Sequence, residues 1–339
     1  MTTIDYQAPP VVNSAGTRPD WREWLKILGP LIGLGFVFLV FSVLTPSTFL
    51  TTFNLRILLL QTAVVGTAAL GMTLIIVSGG IDLSVGSNVA LSSVIVALLL
   101  HAHVNPVLAA LGGIATGLVV GVLIGVLITA LDLSPFIVTL GLMGALRGAA
   151  ILTAGQGGVV YPPTNTMNSW IYSLLTLRAT TPWMIIPPGV WLLVLFSILV
   201  AGMLRYTKSG RHVFAVGSNE QTARLCGVNI PWTKILVYSV AGALVGIAAV
   251  LHFSYLRQGD ATSANGLELD VIAAVVIGGA SLSGGEGTVL GSLAGALMMS
   301  AVANGCGNMG WPNPVQQIVT GAIIIVAAAL DRLRHRKTT

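Results

Sequence analysis

Residues 57–87 read ILLLQTAVVGTAALGMTLIIVSGGIDLSVGS, and this stretch decides what kind of protein the chain forms. Ile57 to Val77 is a continuous apolar run. A bilayer core of about 30 Å asks for about 20 apolar residues in helical form, so the run is long enough to cross. A barrel strand alternates apolar and polar positions, and this stretch does not, so a helix spans here. The polar string Gly79 to Ser87 then stands between two apolar runs with no ordinary loop.

Further runs of the same kind lie on both sides: Ile27 to Leu44, Ser84 to Leu100, Val107 to Leu131, Phe136 to Ala154, Met184 to Leu204, Ile235 to Leu256 and Val315 to Leu330. Two weaker ones, Val271 to Ala280 and Val289 to Ala303, are too short to cross perpendicularly. A Gly/Ser stretch separates them, so they are expected to be broken or re-entrant. The predicted fold is an all-α integral membrane protein, a polytopic bundle of about ten transmembrane helices.

Composition agrees. The 339 residues include only 16 Lys and Arg and 11 Asp and Glu, too few to cover a water-facing globule, which excludes a soluble enzyme. Hydrophobic residues make up 55%, mean hydropathy is +0.90, and 40 glycines favour closely packed apolar helices. The net charge of +5 does not point to nucleic acid, because the basic residues flank apolar runs. Arg18, Arg22 and Lys26 precede the first span; Arg205, Lys208, Arg211, Arg224 and Lys234 fill the central loop; Arg332, Arg334, Arg336 and Lys337 close the chain. Lys and Arg are retained on the cytoplasmic side. Six crossings before the central loop and four after it put all three clusters there, with both termini inside.

The organisation predicted is a polar cytoplasmic tail over residues 1–26, one membrane domain over 27–331 with a cytoplasmic loop over 205–234, and a basic tail over 332–339. The first apolar run has no small-residue cleavage site after it, so it reads as a retained helix. Cys226 and Cys306 fall on opposite faces and show neither metal spacing nor a disulfide framework. Ser134 and Pro135 mark a helix start, with a capping hydroxyl and a proline at the first helical position.

GGIDLSVGS at 79–87 has a partner in GGASLSGG at 278–285, sharing Gly-Gly, Leu-Ser and a later Gly. Paired interruptions are a transporter feature, since irregular backbone at membrane depth survives only against protein or a cavity. Gly79, Gly80, Asp82, Ser84, Gly86, Gly278, Gly279, Ser281 and Ser283 are therefore candidates for helix breaks or a translocation pathway. Asp82 reads as an N-cap for the helix beginning near Ser84, not as a proton carrier, because no second acid sits at helical spacing. Arg147, inside a span, needs a partner or a wet cavity, and Asp82 is one candidate.

In the central loop, Asn219 is an N-cap, Glu220 to Cys226 form a short helix and Gly227 supplies a left-handed stop. A helix so short is marginal in water and must be held by packing or by a partner. No G-x-x-x-x-G-K-[ST] is present, so the chain lacks a phosphate cradle of its own. LSGGE at 282–286 stands in an apolar context and is read as chance. Ser281 and Ser283 have only His252 as an intramembrane base, placed toward the outer end of its span, which argues against a protease. His101 and His103 lack a third ligand for a metal.

GGIDLSVGS (79–87), SPFIVTLG (134–141), GRHVFAVGSNEQTARLCGV (210–228) and VIGGASLSGGEGTVLGSLAGAL (276–297) together resemble the ribose-type permeases of bacterial ABC importers, in the group that includes branched-chain amino-acid permeases. The resemblance runs from the first span to the last. It implies a subunit of the bacterial inner membrane that pairs with a second permease copy or paralogue. Two ABC ATPase domains dock beneath it, holding ATP and Mg, and a periplasmic sugar-binding protein docks above, with no cofactor in this chain. It also implies that Asn219, Glu220, Ala223, Arg224 and Gly227 form an ATPase-coupling helix, and that the solute is ribose or a similar pentose or hexose. Outer-face Arg56, Arg178 and Arg257 fit docking to an acidic binding protein and interfacial snorkelling equally well. The competing class, an ion-gradient-driven secondary transporter, needs intramembrane carboxylates, of which the sequence offers mainly Asp82.

Overall fold

The computed structural model describes residues 21–163, 169–176 and 186–336. Within them the chain forms α1 (Trp21–Leu44), α2 (Thr52–Val77), α3 (Val85–His101), α4 (Pro106–Ala130), α5 (Pro135–Ala154), α6 (Pro188–Tyr206), α7 (Lys208–Ser218), α8 (Glu220–Leu225), α9 (Ile230–Leu256), α10 (Leu267–Ile277), α11 (Val289–Asn308) and α12 (Asn313–Arg336). The strand pieces β1 (Val159–Val160) and β2 (Gly259–Asp260) pair antiparallel. Every apolar run read from the sequence contains a helix. By length and composition six of these helices are able to cross a membrane: α2, α4, α5, α6, α9 and α11. Gly29–Leu44, Val85–His101 and Pro314–Val326 are shorter apolar helical stretches.

Burial sorts the helices. α2 is enclosed along nearly its whole length, whereas α4, α5 and α6 turn large apolar side chains outward, among them Val119, Leu152 and Ile198. Such a surface is stable only against lipid or another apolar protein surface. The α4–α9 pair explains much of the glycine content. Gly113, Gly117, Gly121 and Gly125 recur every four residues on α4 and meet Gly242, Gly246 and Ile235 of α9, backbone against backbone. A Cβ on Gly117 would lie 2.7 Å from the Gly246 Cα, and one on Gly125 2.7 Å from the Ile235 Cα. In lipid no hydrophobic force drives helices together, so this close approach supplies the association through dispersion.

Connections gather at two ends. At one, the end of α2, Pro135, α7, the start of α8 and Ser283 surround a common cavity. At the other, His101 Nδ1 donates to the Tyr161 carbonyl at 3.1 Å, and the Asn54 amide of α2 donates to Asn304 Oδ1 of α11 at 2.8 Å.

The interruption near residue 280 differs from the sequence expectation. α11 is 20 residues long and is a full span, not a fragment. α10 is the short one, 11 residues, roughly 16 Å of helix. Its crossing is completed before it starts, by a non-helical leg. Gly259 packs on the middle of α3, where a Cβ would be 2.6 Å from Ala97 Cβ and 2.9 Å from Val94 Cα. Ala264 and Glu268 lie beside Gly86 at the start of α3. The leg therefore descends along α3 and hands over to α10, and residues 278–288 form only the turn into α11.

Candidate functional site

The two glycine-rich strings are the same structure twice. After α2, Ser78 N donates to Leu74 O, Gly79 N to Ile76 O and Gly80 N to Ile75 O; after α10, Gly278 N donates to Ala274 O, Gly279 N to Val276 O and Ala280 N to Val275 O. Gly79 has φ +83° and Gly279 φ +93°, the left-handed stop that lets the chain fold back on the last turn. The structural match pairs Gly79 with Gly279, one residue away from the sequence alignment that pairs it with Gly278.

These breaks touch each other and the central loop. Gly285 N donates to Val77 O at 2.9 Å, and the last turn of α7 lies against both, with Gly217 on the Val77 carbonyl and near Gly285 N. Gly79, Gly80 and Ser283 line the cavity of about 560 Å³ formed there, together with Ser218, Glu220 and Lys234. The remaining candidates do not line this cavity. Ser84 and Ser281 are buried, Gly278 packs on the backbone of Gly291 in α11, Gly279 closes the second break, and Gly86 meets Ala264 O and the Glu268 carboxylate.

Asp82 does not cap α3 directly. Its Oδ1 accepts from Ser84 N at 2.7 Å and Ser84 Oγ at 2.6 Å, closing a turn just ahead of the helix. Nor does it meet Arg147. That guanidinium donates from Nη1 to Ala261 O at 2.8 Å and Ser263 O at 2.7 Å, so its partners are carbonyls of the non-helical leg. His252 serves the same leg: its Nε2 meets Ser263 Oγ at 3.1 Å, and Ser263 Oγ itself donates to Asp260 O at 2.6 Å. His252 is thus engaged away from Ser281 and Ser283.

The short helix in the loop forms as its caps dictate. Asn219 Oδ1 accepts from Thr222 N at 2.8 Å, and Gly227, at φ +83°, ends it with Val228 N donating to Ala223 O. Ala223 is buried with Val216 and Ile230, so it fixes α8 to α7 and α9. Glu220 accepts from Lys234 Nζ at 2.8 Å and pairs with Arg224 at 3.6 Å. Leu225 is 89% exposed at the tip, beside exposed Arg224. An apolar side chain that exposed on an otherwise polar loop is what the sequence reading missed, because the face it occupies depends on how Ala223 is buried.

Arg257 ends α9 in a left-handed conformation and is exposed; the Arg56 Nε is buried near the start of α2 with no hydrogen-bond partner among the described residues. Arg178 lies outside the described residues. Among the described residues no group of His, Cys, Asp and Glu is arranged to hold a metal.

A multi-pass helical bundle with two matched interior breaks and a small helix held on its loop face defines a membrane permease. The family described as branched-chain amino acid transport system / permease component matches residues 54–328, and the chain belongs to it. It is 38% identical to the ribose import permease protein RbsC of Bacillus subtilis, over 91% of this chain and 93% of that protein. It is 35% identical to the Escherichia coli K12 protein of the same name, over 95% and 98%, and 33% identical to the L-arabinose ABC transporter permease protein AraH of Azospirillum brasilense, over 90% and 88%. No solved structure gives a significant match. The chain is therefore a permease subunit of an ABC importer and not itself an enzyme; ATPase activity lies in separate subunits, and this class of subunit implies ATPase and substrate-binding partners.

Proposed function

We propose that this chain forms the membrane pathway of an ATP-driven, binding-protein-dependent importer of a monosaccharide. It pairs with a second permease copy or a close paralogue, two ATPase domains holding ATP and Mg dock on its cytoplasmic face, and a periplasmic sugar-binding protein docks opposite. Residues 27–331 act as one permease unit between the two tails.

α8 carries the reading. It is capped at both ends, anchored from behind by Ala223, and turns Arg224 and Leu225 away from the bundle. That is the form of a rigid handle for a separate motor. Its attachment supports transmission: α7 joins α8 to the two breaks through Gly217, so a push on α8 reaches both. The permease then exchanges an outward-open and an inward-open packing, and ATPase closure biases the exchange. Relatives named for ribose and L-arabinose support a sugar as solute. Arg257, exposed at the end of α9, is assigned to binding-protein docking, together with Arg178 on the strength of the sequence alone.

The test is uptake into vesicles holding the complete complex. Sugar accumulation that follows ATP and ignores imposed proton or sodium gradients is expected. Accumulation that follows an ion gradient without ATP overturns the proposal.

A further inference from the structure

A second cavity, of about 460 Å³, lies at the other end of the bundle between the non-helical leg, the start of α10, α11 and the first turns of α12. Its size falls within the range of about 300–1,000 Å³ usual for small-molecule sites. Its wall is unlike the rest of this apolar chain. Ser263 and Asn265 come from the leg, Asp270 from the first turn of α10, and Gln316, Gln317 and Thr320 from α12. In hydrocarbon such groups are costly unless they face water, one another or a ligand.

The wall is also built. Arg147 from α5 and His252 from α9 reach the leg from behind and fasten Ala261 O, Ser263 O and Ser263 Oγ. Arg147, a cation inside a span, is thus committed to holding backbone in a non-helical shape beside a cavity. Irregular backbone at membrane depth persists in just this circumstance. Across the opening, Asp270 Oδ1 accepts from Thr320 Oγ1 over a long 3.4 Å, bridging α10 and α12.

We propose that this cavity is the permease's own solute-binding site, and that it takes a neutral polyhydroxylated solute by hydrogen bonds from the Gln316, Gln317 and Asn265 amides and to the Asp270 carboxylate. A carboxylate accepts from two adjacent hydroxyls, and primary amides both donate and accept, which suits a sugar ring. Among the described residues Asp270 is the sole charged group in the wall, so an anionic solute is disfavoured. The proposal rests on the monosaccharide-importer reading above.

The experiment is cysteine protection in the assembled permease–ATPase complex in vesicles, without the binding protein. In a Cys226→Ser, Cys306→Ala background, Asn265→Cys or Gln317→Cys is labelled from outside with a membrane-impermeant thiol reagent; Ala102→Cys, on another loop at the same end, is the control. D-ribose, L-arabinose, D-xylose and D-allose are the probes, with sodium chloride as a further arm. We expect the sugar that the complex imports to slow labelling at 265 and 317 by threefold or more, and not at 102. Asp270→Asn and Thr320→Val should remove that protection while leaving the sugar-free labelling rate unchanged. A purely structural bridge between α10 and α12 predicts the reverse, altered basal labelling with protection intact, and overturns the proposal. ATP-driven uptake, measured with the binding protein restored, of a sugar that protects neither position also overturns it, while leaving the importer reading standing. Protection by sodium alone overturns both, as does a wild-type complex that, with the binding protein restored, takes up none of the sugars with ATP.

Discussion

The N–H of Gly285 donates to the carbonyl of Val77 at 2.9 Å, tying the turn after α10 to the last residue of α2. Two breaks about two hundred positions apart thus share a hydrogen bond, and Gly217 of α7 is seated on the same carbonyl.

Gly217→Ala tests that junction. The new Cβ would collide with Val77 O and come within 2.7 Å of Gly285 N, both backbone atoms that cannot rotate away. Overpacking of this kind costs about 1–3 kcal/mol. We expect ATP-dependent uptake to fall at least tenfold, whereas Gly202→Ala, at a position with nothing among the described residues within 4 Å, leaves it unchanged. Equal uptake by the two variants would show that the junction tolerates separation.

Leu225→Glu and Ala223→Glu separate the outer face of α8 from its anchor. Leu225 is exposed and Ala223 is 4% exposed. Leu225→Glu should leave the melting temperature of the purified permease within a degree or two while abolishing co-purification of the ATPase. Ala223→Glu should lower both, since it buries a charge in a small apolar cluster. Retained ATPase binding by Leu225→Glu would remove that side chain from the docking face.

Buried Asn54 and Asn304, with exposed Asn308, form an amide cluster between α2 and α11. The Asn54 amide donates to Phe49 O at 2.9 Å and to Asn304 Oδ1 at 2.8 Å, and accepts from Asn308 at 3.2 Å. Asn54→Leu strands these partners at about 1–3 kcal/mol. Thermal unfolding in detergent should show Asn54→Leu and Asn304→Leu each destabilising, and the double variant less so than their sum. Strict additivity would mean the amides act independently.

Arg147→Gln removes the cation that holds Ala261 O and Ser263 O. The expected result is faster hydrogen exchange, by tenfold or more, confined to peptides covering residues 258–266, with the rest of α5 unchanged. Unaltered protection there would assign the leg's order to its packing on α3 alone.

Much of this was legible in the chain's local chemistry. Hydropathy located the spans, and the Pro135 start, the Asn219 cap and the Gly227 stop lie where short-range rules put them. A span's length and a cap's hydrogen bond are settled within a few residues, so the sequence by itself determined a polytopic helical membrane protein with two broken elements and a small loop helix. Tertiary structure alone decided the partners. Arg147 reaches carbonyls 114 and 116 positions away and not Asp82, Asn54 finds Asn304 at a separation of 250, and a polar cavity opens where α12 meets a leg that no periodicity marks. A buried donor in lipid takes whichever acceptor the packed backbones bring within reach, and which backbones meet is set by the glycine contacts between helices distant in the chain.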